Sequence, residues 1–550
     1  MLLAEYIVDF LYNIGVRKIF MLSGTGSVKL DDAFARKKGM EYVCARHEAT
    51  AVVMAEAVAK LKNKLGVSVV TTGPGGTNAI AGVVEAWVDS TPVLIISGQV
   101  GTKQYIKDRA FGIQGFNIID NVKRFTKYSA LVQDPNQIRF HLEKALHEAF
   151  SGRPGPVWLD IPMDLQSAEV DPNNMKRFTA PPLNSAYTNK DLEADMLMDM
   201  ISESKRPLIA FGRGVKIAGA KTQLVEFLRK TNIPSVSARM ANDVLPYSDT
   251  NYFGMGGIRG RRAAVGIMKK ADLLITLGTS NCYTFFGNNE ILDSSCKLAV
   301  VNIDENIFNR DDLEIDLGIK SDVKTFLSFL NKKAVNLDYT SWLKQCKKIK
   351  KDNPMVTSDM AKNPINSYYL AQVLSEISDS RHIFINDAGS SNYISSQALN
   401  LDNSQREITS GAFYTMGLTL PLAVGAATIE PKSQIIAITG DGSIELNIQE
   451  LQTIGLNNLN IKIVVINNGG YASIRDSQDA MCGGRYTDDE QILNFMKIAN
   501  AFNIDFEIIQ DFSEIKAVMN KVFLNDRPTI IEVVCDDSQY MIQPLKEEIN

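Results

Sequence analysis

The sequence predicts an α/β protein made of three doubly wound parallel-sheet domains. Short apolar runs alternate with helix-like segments, and this alternation is typical of parallel sheets covered by helices on both faces. A length of 550 residues exceeds what one hydrophobic core usually organises. Two stretches of linker or charged composition, 166–190 and 340–365, divide the chain into expected domains at 1–165, 190–340 and 360–550.

Composition excludes several classes of protein. Hydrophobic residues make up 45% of the chain and charged residues 22%, as in ordinary globular proteins. The net charge of −5 offers no basic surface for nucleic acid, and no apolar run reaches the about 18 residues of a membrane span. The six cysteines show no C-x-x-C spacing and no signal-peptide pattern precedes them. We therefore expect reduced thiols in a cytoplasmic protein.

Strands followed by Gly-rich turns dominate the first expected domain. Strands are predicted at 18–22, 41–45, 67–71 and 92–97. The turn S-G-T-G at 23–26 lacks the G-x-G-x-x-G pattern, which disfavours an NAD-dependent oxidoreductase. Glu48 begins a helix and precedes the apolar run 49–55, so we expect its carboxyl group in apolar surroundings rather than on a solvated helix start. In the second domain, strands are predicted at 206–211, 273–278 and 297–303.

A strand, turn, helix and strand in the third domain carry the clearest chemistry. Apolar runs at 434–439 and 461–466 flank a segment with helical spacing at 444–455, which predicts a parallel βαβ crossover. Asp441 follows the first strand and Asn468 the second, so both are expected at one sheet edge, where open α/β sheets bind ligands. Carboxylate and amide oxygens are hard ligands suited to Mg²⁺ or Ca²⁺.

Two turns of this domain can donate hydrogen bonds to a phosphate. Gly442 and Ser443 present backbone N–H groups at a helix N-terminus. The turn at 387–392, which includes Ser390 and Ser391, offers N–H and hydroxyl groups after the predicted strand at 382–386. The sequence G-A-F-Y-T-M-G forms a third turn at 411–417.

These motifs together resemble those of thiamine-diphosphate (ThDP) enzymes, and G-D-G-S-I-E-L-N-I-Q-E-L-Q-T-I at 440–454 is similar to the acetolactate synthase-like branch. R-H-E-A-T-A and T-T-G-P-G-G-T-N in the first domain resemble the same family, and the similarity extends over nearly the whole chain. The resemblance implies a pyrimidine-binding, a central and a diphosphate-binding domain. It implies Mg²⁺ bound by Asp441, Asn468 and the carbonyl of Gly470. Glu48 would hydrogen-bond N1′ of the aminopyrimidine.

Other roles follow only from this resemblance. Gln114 would be a polar group near the reacting carbon, although Gly115 and Asn117 replace acids of the family segment. Met416 would bend the cofactor into its V shape. The remaining cofactor-binding residues would be Thr25, Gly73, Ser390, Ser391, Tyr414, Gly442 and Ser443. The central domain holds FAD in acetolactate synthases. The Gly-rich segment 254–260 retains part of the family's FAD-binding pattern, but the segment 278–283 lacks the family's Arg-Phe-Asp. The sequence therefore leaves open whether FAD binds.

The resemblance implies a 2-ketoacid, with pyruvate expected, and a carbonyl acceptor. Three positions differ from acetolactate synthases: Met163 replaces a lysine, Ser280 an arginine and Ser477 a tryptophan. Segments such as G-R-P-G-P-V-W-L-D-I-P are closer to enzymes of surface-polysaccharide and sugar-nucleotide pathways. The first hypothesis is therefore transfer of the acyl unit to a nucleotide-linked keto-sugar.

Three alternatives remain. One is acetolactate synthesis from two pyruvates. Another is a simple 2-ketoacid decarboxylase, disfavoured because 101–120 contains no histidine pair. A catalytically idle homologue is disfavoured because Glu48 and Asp441 are both present. In the resembling enzymes the cofactor is bound between two chains, so a homodimer or homotetramer is expected.

Overall fold

The computed structural model describes residues 1–105, 109, 112–181, 190–287, 290–334, 337–487 and 493–546. It contains three six-stranded sheets, and every strand pair within them is parallel. Helices flank each sheet, so the predicted α/β class with three doubly wound sheets is confirmed. Part of the predicted linker, residues 182–189, lies outside the described residues.

The first sheet belongs to the N-terminal part of the chain and has the strand order β2-β1-β3-β4-β6-β5. Its strands are Lys18–Met21 (β1), Glu41–Cys44 (β2), Gly66–Val70 (β3), Val93–Gln99 (β4), Tyr128–Leu131 (β5) and Val157–Pro162 (β6). Its helices are Leu3–Asn13 (α1), Val28–Arg36 (α2), Glu48–Lys62 (α3), Pro74–Val88 (α4), Ile118–Val122 (α5), Ile138–Phe150 (α6) and Met163–Gln166 (α7).

The central sheet has the order β12-β11-β10-β7-β8-β9. Its strands are Pro207–Phe211 (β7), Ser235–Ser237 (β8), Tyr252–Met255 (β9), Leu273–Leu277 (β10), Lys297–Asn302 (β11) and Leu317–Lys320 (β12). The helices of this part are Lys190–Glu203 (α8), Arg213–Ile217 (α9), Lys221–Thr231 (α10), Arg262–Lys270 (α11), Tyr283–Phe286 (α12), Val323–Lys333 (α13) and Thr340–Asp352 (α14).

The third sheet has the order β14-β13-β15-β16-β18-β17. Its strands are His382–Asn386 (β13), Arg406–Thr409 (β14), Gln434–Gly440 (β15), Ile461–Asn467 (β16), Asp505–Ile509 (β17) and Thr529–Val534 (β18). Its helices are Ser367–Ile377 (α15), Gly389–Ala398 (α16), Thr419–Ile429 (α17), Asp441–Ile444 (α18), Glu450–Leu456 (α19), Ala472–Cys482 (α20), Phe495–Ala501 (α21) and Ile515–Phe523 (α22).

The first and third sheets repeat one topology. When the strands of each are counted in chain order, both run second, first, third, fourth, sixth, fifth. The central sheet, read from β9, runs third, second, first, fourth, fifth, sixth, so its strand order reverses direction between β7 and β10. Ligands of open α/β sheets bind at such a reversal, beyond the carboxyl ends of the strands.

One helix prediction needs correction. The apolar spacing at 444–455 predicts a single helix, but the chain forms α18, a 3₁₀ turn at Glu445–Asn447 and then α19, which ends at Leu456. Leu446 of the 3₁₀ turn is half exposed, whereas Leu451 and Ile454 are buried. A 3₁₀ turn advances three residues per turn, so it shifts which side chains face the core.

The first and third domains share one hydrophobic core. Val52 and Met54 of α3 belong to the same buried cluster as Leu422 and Ala426 of α17. The central domain has two clusters of its own, one on each side of its sheet. All six cysteines are free thiols. Within the described ranges, no helix combines the length and the hydropathy that crossing a bilayer requires.

Candidate cofactor and metal site

Asp441 lies where the sequence predicts it, directly after β15 at the carboxyl edge of the third sheet. Its neighbour Gly440 pairs in register with Ile466 of β16, so Asn468 emerges at the same edge. The Asp441 carboxylate is buried and accepts hydrogen bonds from Gly442 N at 2.9 Å and Gly470 N at 2.8 Å. Burial raises the pKa of this carboxyl group, and the backbone donors oppose that shift. The structure thus brings Asp441 and the loop at 468–470 together.

The loop at 468–470 is held from behind by Arg475 of α20. This buried guanidinium donates to Asn468 O at 2.6 Å and to Gly469 O at 2.7 Å. The amide nitrogen of Asn468 donates to Ser390 Oγ at 3.4 Å. The carbonyls of 468 and 469 are therefore engaged by Arg475.

Gly442 lies beneath an aromatic ring that leaves no room for a side chain. A Cβ on Gly442 would come within 2.6 Å of a carbon of the Tyr471 ring, a distance that real Cβ atoms essentially never show. Any larger residue at 442 must therefore displace the Tyr471 ring. Steric fit as well as turn geometry explains the glycine of the G-D-G motif.

Asp387 links three of the predicted cofactor-binding turns. It is fully buried, follows β13 and accepts four hydrogen bonds. The donors are Ala388 N (2.7 Å) to Oδ1, and Gly417 N (3.0 Å), Thr419 N (3.4 Å) and Ser443 Oγ (2.7 Å) to Oδ2. Burial raises the pKa of Asp387, while these donors favour its ionised form. One carboxylate thus fixes the turns after β13, β14 and β15 relative to one another.

Ser390 and Ser391 lie in the first turn of α16, at the same sheet edge. Ser391 Oγ donates to Ala388 O at 3.1 Å, and Ser390 Oγ faces Asn468. The first backbone N–H groups of a helix have no intrahelical partner, and the helix dipole favours negative charge there. The start of α16 is therefore suited to an anionic group.

Tyr414 and Met416 lie on the turn that follows β14. Tyr414 has a left-handed backbone with φ of 54°, and its N–H donates to Ser410 Oγ at 3.0 Å. Burial raises the pKa of the Tyr414 phenol, whose ring lies 5.5 Å from that of Tyr393. Met416 is half-buried directly before Gly417, whose N–H contacts Asp387.

A buried carboxylate of α4 holds this turn from the first domain, beside a buried charge cluster on α3. Glu85 accepts from Ser410 Oγ at 2.7 Å and Thr415 Oγ1 at 2.8 Å. Lys60 contacts Asp89 at 2.8 Å and Glu56 at 3.2 Å. Burial raises the pKa of Glu56 to about 8, despite the opposing charge of Lys60.

The first-domain predictions gather around the turn at 72–76. Glu48 is buried at the start of α3 and accepts from Asn78 Nδ2 at 3.0 Å. Gly73 has φ of 58°, and a Cβ there would come within 2.3 Å of Gln114 O. Gln114 is exposed, with a left-handed φ of 64°. Thr25 is exposed in the 3₁₀ turn Thr25–Ser27.

The predicted residues therefore form two sets, one at each sheet edge. Within the described part of the chain, no hydrogen bond joins the Glu48 and Gln114 set to the Asp441 set. The domains do meet beside Glu48, because buried Glu450 of α19 accepts from Arg46 N at 2.8 Å and from Thr50 Oγ1 at 2.6 Å.

A cavity of about 650 Å³ opens at the strand reversal of the central sheet. The turns after β7 and β10 line it, and so does Tyr414 of the third domain. Four arginines (Arg153, Arg213, Arg239 and Arg259) and two aspartates (Asp89 and Asp322) contribute to its wall, which leaves an excess of positive charge. A cavity with this charge suits a ligand that carries phosphate groups.

The positions that differ from acetolactate synthases are spread over three elements. Met163 begins α7 and is 38% exposed. Ser280 is exposed and lines the central cavity, and Ser477 is exposed on α20. Across the described residues, no hydrogen bond links any of these three side chains to another.

Three family models match the chain. The N-terminal TPP binding domain of thiamine pyrophosphate enzymes matches residues 1–127, their central domain matches 194–330 and their C-terminal TPP binding domain matches 387–533. The chain therefore belongs to the thiamine pyrophosphate (ThDP) enzyme family.

Curated relatives indicate which type of ThDP enzyme the chain is similar to. The acetolactate synthase large subunit of Lactococcus lactis subsp. lactis (strain IL1403) is 30% identical over 98% of this chain and 93% of its own length. The chloroplastic acetolactate synthase of Arabidopsis thaliana is 28% identical over 98% of this chain and 82% of its own length. The acetolactate synthase isozyme 1 large subunit of Escherichia coli (strain K12) is 29% identical over 97% of this chain and 94% of its own length. The chain is a ThDP-dependent enzyme of the acetolactate synthase-like type.

The described donors fit ThDP with a divalent cation. Asp441 supplies a carboxylate, Asn468 an amide oxygen and Gly470 a main-chain carbonyl, which together are hard oxygen ligands. Among the described residues, no group of three or more His, Cys, Asp or Glu side chains could hold a metal. The N-terminal turn of α16 offers backbone N–H groups for a diphosphate.

Sequence reasoning missed the residues that hold these ligands in place. Asp387 was recognised only as part of a turn, although its position after a buried strand was a usable signal. Arg475 and Glu450 lie on helices, and nothing in their local sequence distinguishes them from solvated charges. Their partners come from the loop at 468–470 and from the first domain.

Proposed function

We propose that this enzyme removes carbon dioxide from a 2-ketoacid, with pyruvate the expected donor, and joins the acyl unit to a carbonyl acceptor. The observation that carries the proposal is the convergence of Asp441 and the loop at 468–470, linked by the 2.8 Å hydrogen bond from Gly470 N. Bound ThDP supplies the carbanion chemistry that breaks the bond to the carboxylate.

The third domain would bind the cation and the diphosphate. Asp441, Asn468 and the Gly470 carbonyl would bind Mg²⁺. Ser390, Ser391, Gly442 and Ser443 would donate to the diphosphate, and Tyr414 and Met416 would contact the rest of the cofactor. Asp387 supports this role because it fixes three of the contributing turns.

The first domain would place one proton-bearing group and one polar group beside the reacting atoms. Glu48 would hold a proton at N1′ of the aminopyrimidine, and its burial at the start of α3 supports that role. Gln114 would orient the substrate, while Thr25 and Gly73 would contact the cofactor. General acid–base groups of this kind contribute about 10²- to 10⁴-fold to rate.

A second 2-ketoacid is the acceptor that the relatives favour. The curated relatives described above are named acetolactate synthases, and they match over nearly the whole chain. On this basis the enzyme would combine two pyruvates into 2-acetolactate and carbon dioxide.

A nucleotide-linked keto-sugar is the second candidate acceptor. The observations that favour it are exposed Ser477 in place of a tryptophan and Met163 and Ser280 in place of two cations. Fewer cations weaken the attraction for a carboxylate, and the smaller residue leaves room for a bulky, hydroxyl-rich group. Sites that hydrogen-bond hydroxyl groups discriminate strongly against acceptors that lack them.

Product analysis separates these candidates. The purified enzyme with ThDP and Mg²⁺ would be given pyruvate alone and pyruvate with a panel of nucleotide-linked 4-keto sugars. Acetolactate from pyruvate alone supports the synthase, a branched sugar supports the transferase, and acetaldehyde without either product supports a simple decarboxylase. Asp441→Ala is the control for cofactor-dependent turnover. Carbon dioxide release that is equal with and without ThDP would contradict the whole proposal.

A substitution at residue 477 tests which acceptor the enzyme uses. Ser477→Trp should depress sugar transfer far more than pyruvate decarboxylation if a sugar binds beside α20. An equal loss of both activities would show that residue 477 does not select the acceptor.

We also propose that the active unit is a homodimer or homotetramer, since the Glu48 set and the Asp441 set lie on different domains and share no hydrogen bond in the described residues. Light scattering should report at least two chains at working concentration. A fully active monomer would contradict this assembly.

The central cavity is proposed as a nucleotide site, with FAD as the family's ligand. Its four arginines and its position at the strand reversal support a phosphate-bearing group. Flavin absorbance that co-purifies with the protein would detect FAD. If the protein shows no flavin absorbance after incubation with excess FAD and removal of the unbound cofactor, a flavin is excluded.

A further inference from the structure

A buried amide lies beneath the loop that carries Gln114. Gln99 is the last residue of β4 and is 1% exposed. Its side chain uses all four of its hydrogen-bonding positions, two as donor and two as acceptor. The carboxamide nitrogen donates to Asp160 Oδ2 (2.9 Å) and Phe116 O (2.7 Å), and the oxygen accepts from Thr72 Oγ1 (2.9 Å) and Val100 N (3.0 Å).

Two of these bonds reach both sides of Gln114. Phe116 O belongs to the loop just after Gln114, and Gln99 holds it at 2.7 Å. Thr72 Oγ1 also lies 3.3 Å from Gln114 O, and Thr72 begins the turn that contains Gly73. The backbone at 114 is therefore fixed against Gly73 on one side and against the end of β4 on the other.

Asp160 determines which way the Gln99 amide points. It lies within β6, and its carboxylate accepts from Ser97 Oγ at 2.6 Å and from Gln99 Nε2 at 2.9 Å. Ser97 Oγ in turn accepts from Trp158 Nε1 at 2.7 Å, so its own proton is directed to Asp160. Burial raises the pKa of Asp160 to about 7, and the bonds from Ser97 and Gln99 oppose that shift. Above that pH the ionised carboxylate only accepts hydrogen bonds, so Gln99 presents its nitrogen to Asp160 and its oxygen to Thr72.

Among the described residues, the backbone around Gln114 is held chiefly by Thr72 and Gln99. The Gln114 side chain is exposed and its φ of 64° is a left-handed conformation that side-chain-bearing residues rarely adopt. Such backbone conformations persist where surrounding contacts over-determine them. The contacts present here converge on Gln99.

We propose that Gln99 is a positioning residue that, oriented by Asp160, holds Gln114 against the turn at Gly73 for the reaction. This inference rests on the role proposed above for Gln114. Because a displacement of about 1 Å can cost roughly 10²-fold in rate, a residue that touches neither substrate nor cofactor can still control turnover.

A double-mutant cycle tests the inference on the enzyme loaded with ThDP and Mg²⁺, with carbon dioxide release from pyruvate as the readout. Gln99→Met keeps the length of the side chain and removes all four hydrogen bonds. It should lower kcat/KM by roughly 10- to 100-fold. The double variant Gln99→Met/Gln114→Ala should be no slower than Gln114→Ala alone, because Gln99 acts only through Gln114.

A matched control separates positioning from loss of stability. Gln405 is also a buried amide, 2% exposed, and it bonds Asn403 N at 2.7 Å and Ser378 Oγ at 3.1 Å in the third domain, away from the predicted site residues. Gln405→Met should retain wild-type kcat/KM. Asp160→Asn is the milder second variant, since it removes only the charge that orients Gln99, and it should give the same epistasis with Gln114→Ala.

Amide hydrogen exchange without cofactor gives a readout independent of activity. Gln99→Met should speed exchange in peptides covering 112–118, where Gly115 N bonds Gly112 O and Ile118 N bonds Phe116 O. Gln405→Met should leave those peptides unchanged. If Gln99→Met leaves exchange there unchanged, or its rate loss multiplies with that of Gln114→Ala, the positioning role is wrong. If Gln114→Ala itself keeps wild-type kcat/KM, the proposed role of Gln114 is wrong instead.

Discussion

Replacing Asp387 with asparagine tests whether one carboxylate organises the diphosphate site. The two carboxylate oxygens accept from four donors, three on Oδ2 and one on Oδ1. Asparagine has one acceptor oxygen, so its best orientation keeps the three bonds on the Oδ2 side and turns an NH₂ group toward Ala388 N. Two donors then face each other where the wild type has a 2.7 Å hydrogen bond.

The expected loss can be worked from that single mismatch. A buried donor left without its acceptor costs about 1–3 kcal/mol. If the cost falls on the arrangement that binds the cofactor, ThDP affinity drops by roughly 5- to 150-fold, because each 1.4 kcal/mol is tenfold. Asp387→Ala removes all four of these bonds, although Gly417 N keeps its bond to Ser443 Oγ at 2.9 Å, and it should weaken binding further.

Calorimetric titration of ThDP into the Mg²⁺-containing apoenzyme measures this affinity directly. Asp243→Asn is the matched control, since Asp243 is a buried carboxylate that bonds Lys216 at 2.7 Å and Arg406 at 2.9 Å outside the proposed site. Wild-type affinity in Asp387→Asn, or an equal loss in Asp243→Asn, would refute the reasoning.

Three shorter predictions concern other residues. Asp441→Ala should abolish Mg²⁺-dependent ThDP binding by calorimetry while circular dichroism shows a folded chain; unchanged affinity would contradict the metal site. Glu48→Gln should keep ThDP bound but slow exchange of the cofactor C2–H by about 10²- to 10⁴-fold, measured by NMR. The pKa of Glu56 is raised to about 8 by burial, so its protonated form contributes stability that is complete below about pH 4 and is lost as pH rises through 8. The Tm of Glu56→Gln minus the Tm of the wild type should therefore be larger at pH 9 than at pH 6. An equal difference at both pH values would count against this.

Most of the strands that the sequence predicts are buried on both faces, and β2, predicted at 41–45, is the partly exposed exception. β13, β15 and β16 are continuous apolar runs in the middle of the third sheet, and their positions agree with the prediction to within a residue. The edge strands other than β2 were not specified, and two of them, β5 and β12, are short and partly exposed. β5 is half-buried at all four positions, and β12 alternates buried and exposed residues. Such an edge strand is recognised by its hydrogen bonds to the neighbouring strand, which the local sequence does not reveal.

The residues of the site likewise divide into those that the sequence predicts and those that it does not. Asp441 and Asn468 were predictable because parallel neighbouring strands bring their carboxyl ends together. Gln99 was not, because a polar residue at the end of a strand has no local mark of its role. Its partners come from three separate parts of the chain, namely the turn at Thr72, the loop at Phe116 and strand β6.

The core shared by the first and third domains has a consequence for synthesis on the ribosome. The apolar face of α3 is complete early, but the residues of α17 that cover it, such as Leu422, are translated some 360 residues later. At about 5–20 residues per second, that delay is roughly 20–70 s. Throughout it the nascent first domain exposes an uncovered helix face, which makes it a natural substrate for chaperones until the C-terminal third of the chain emerges.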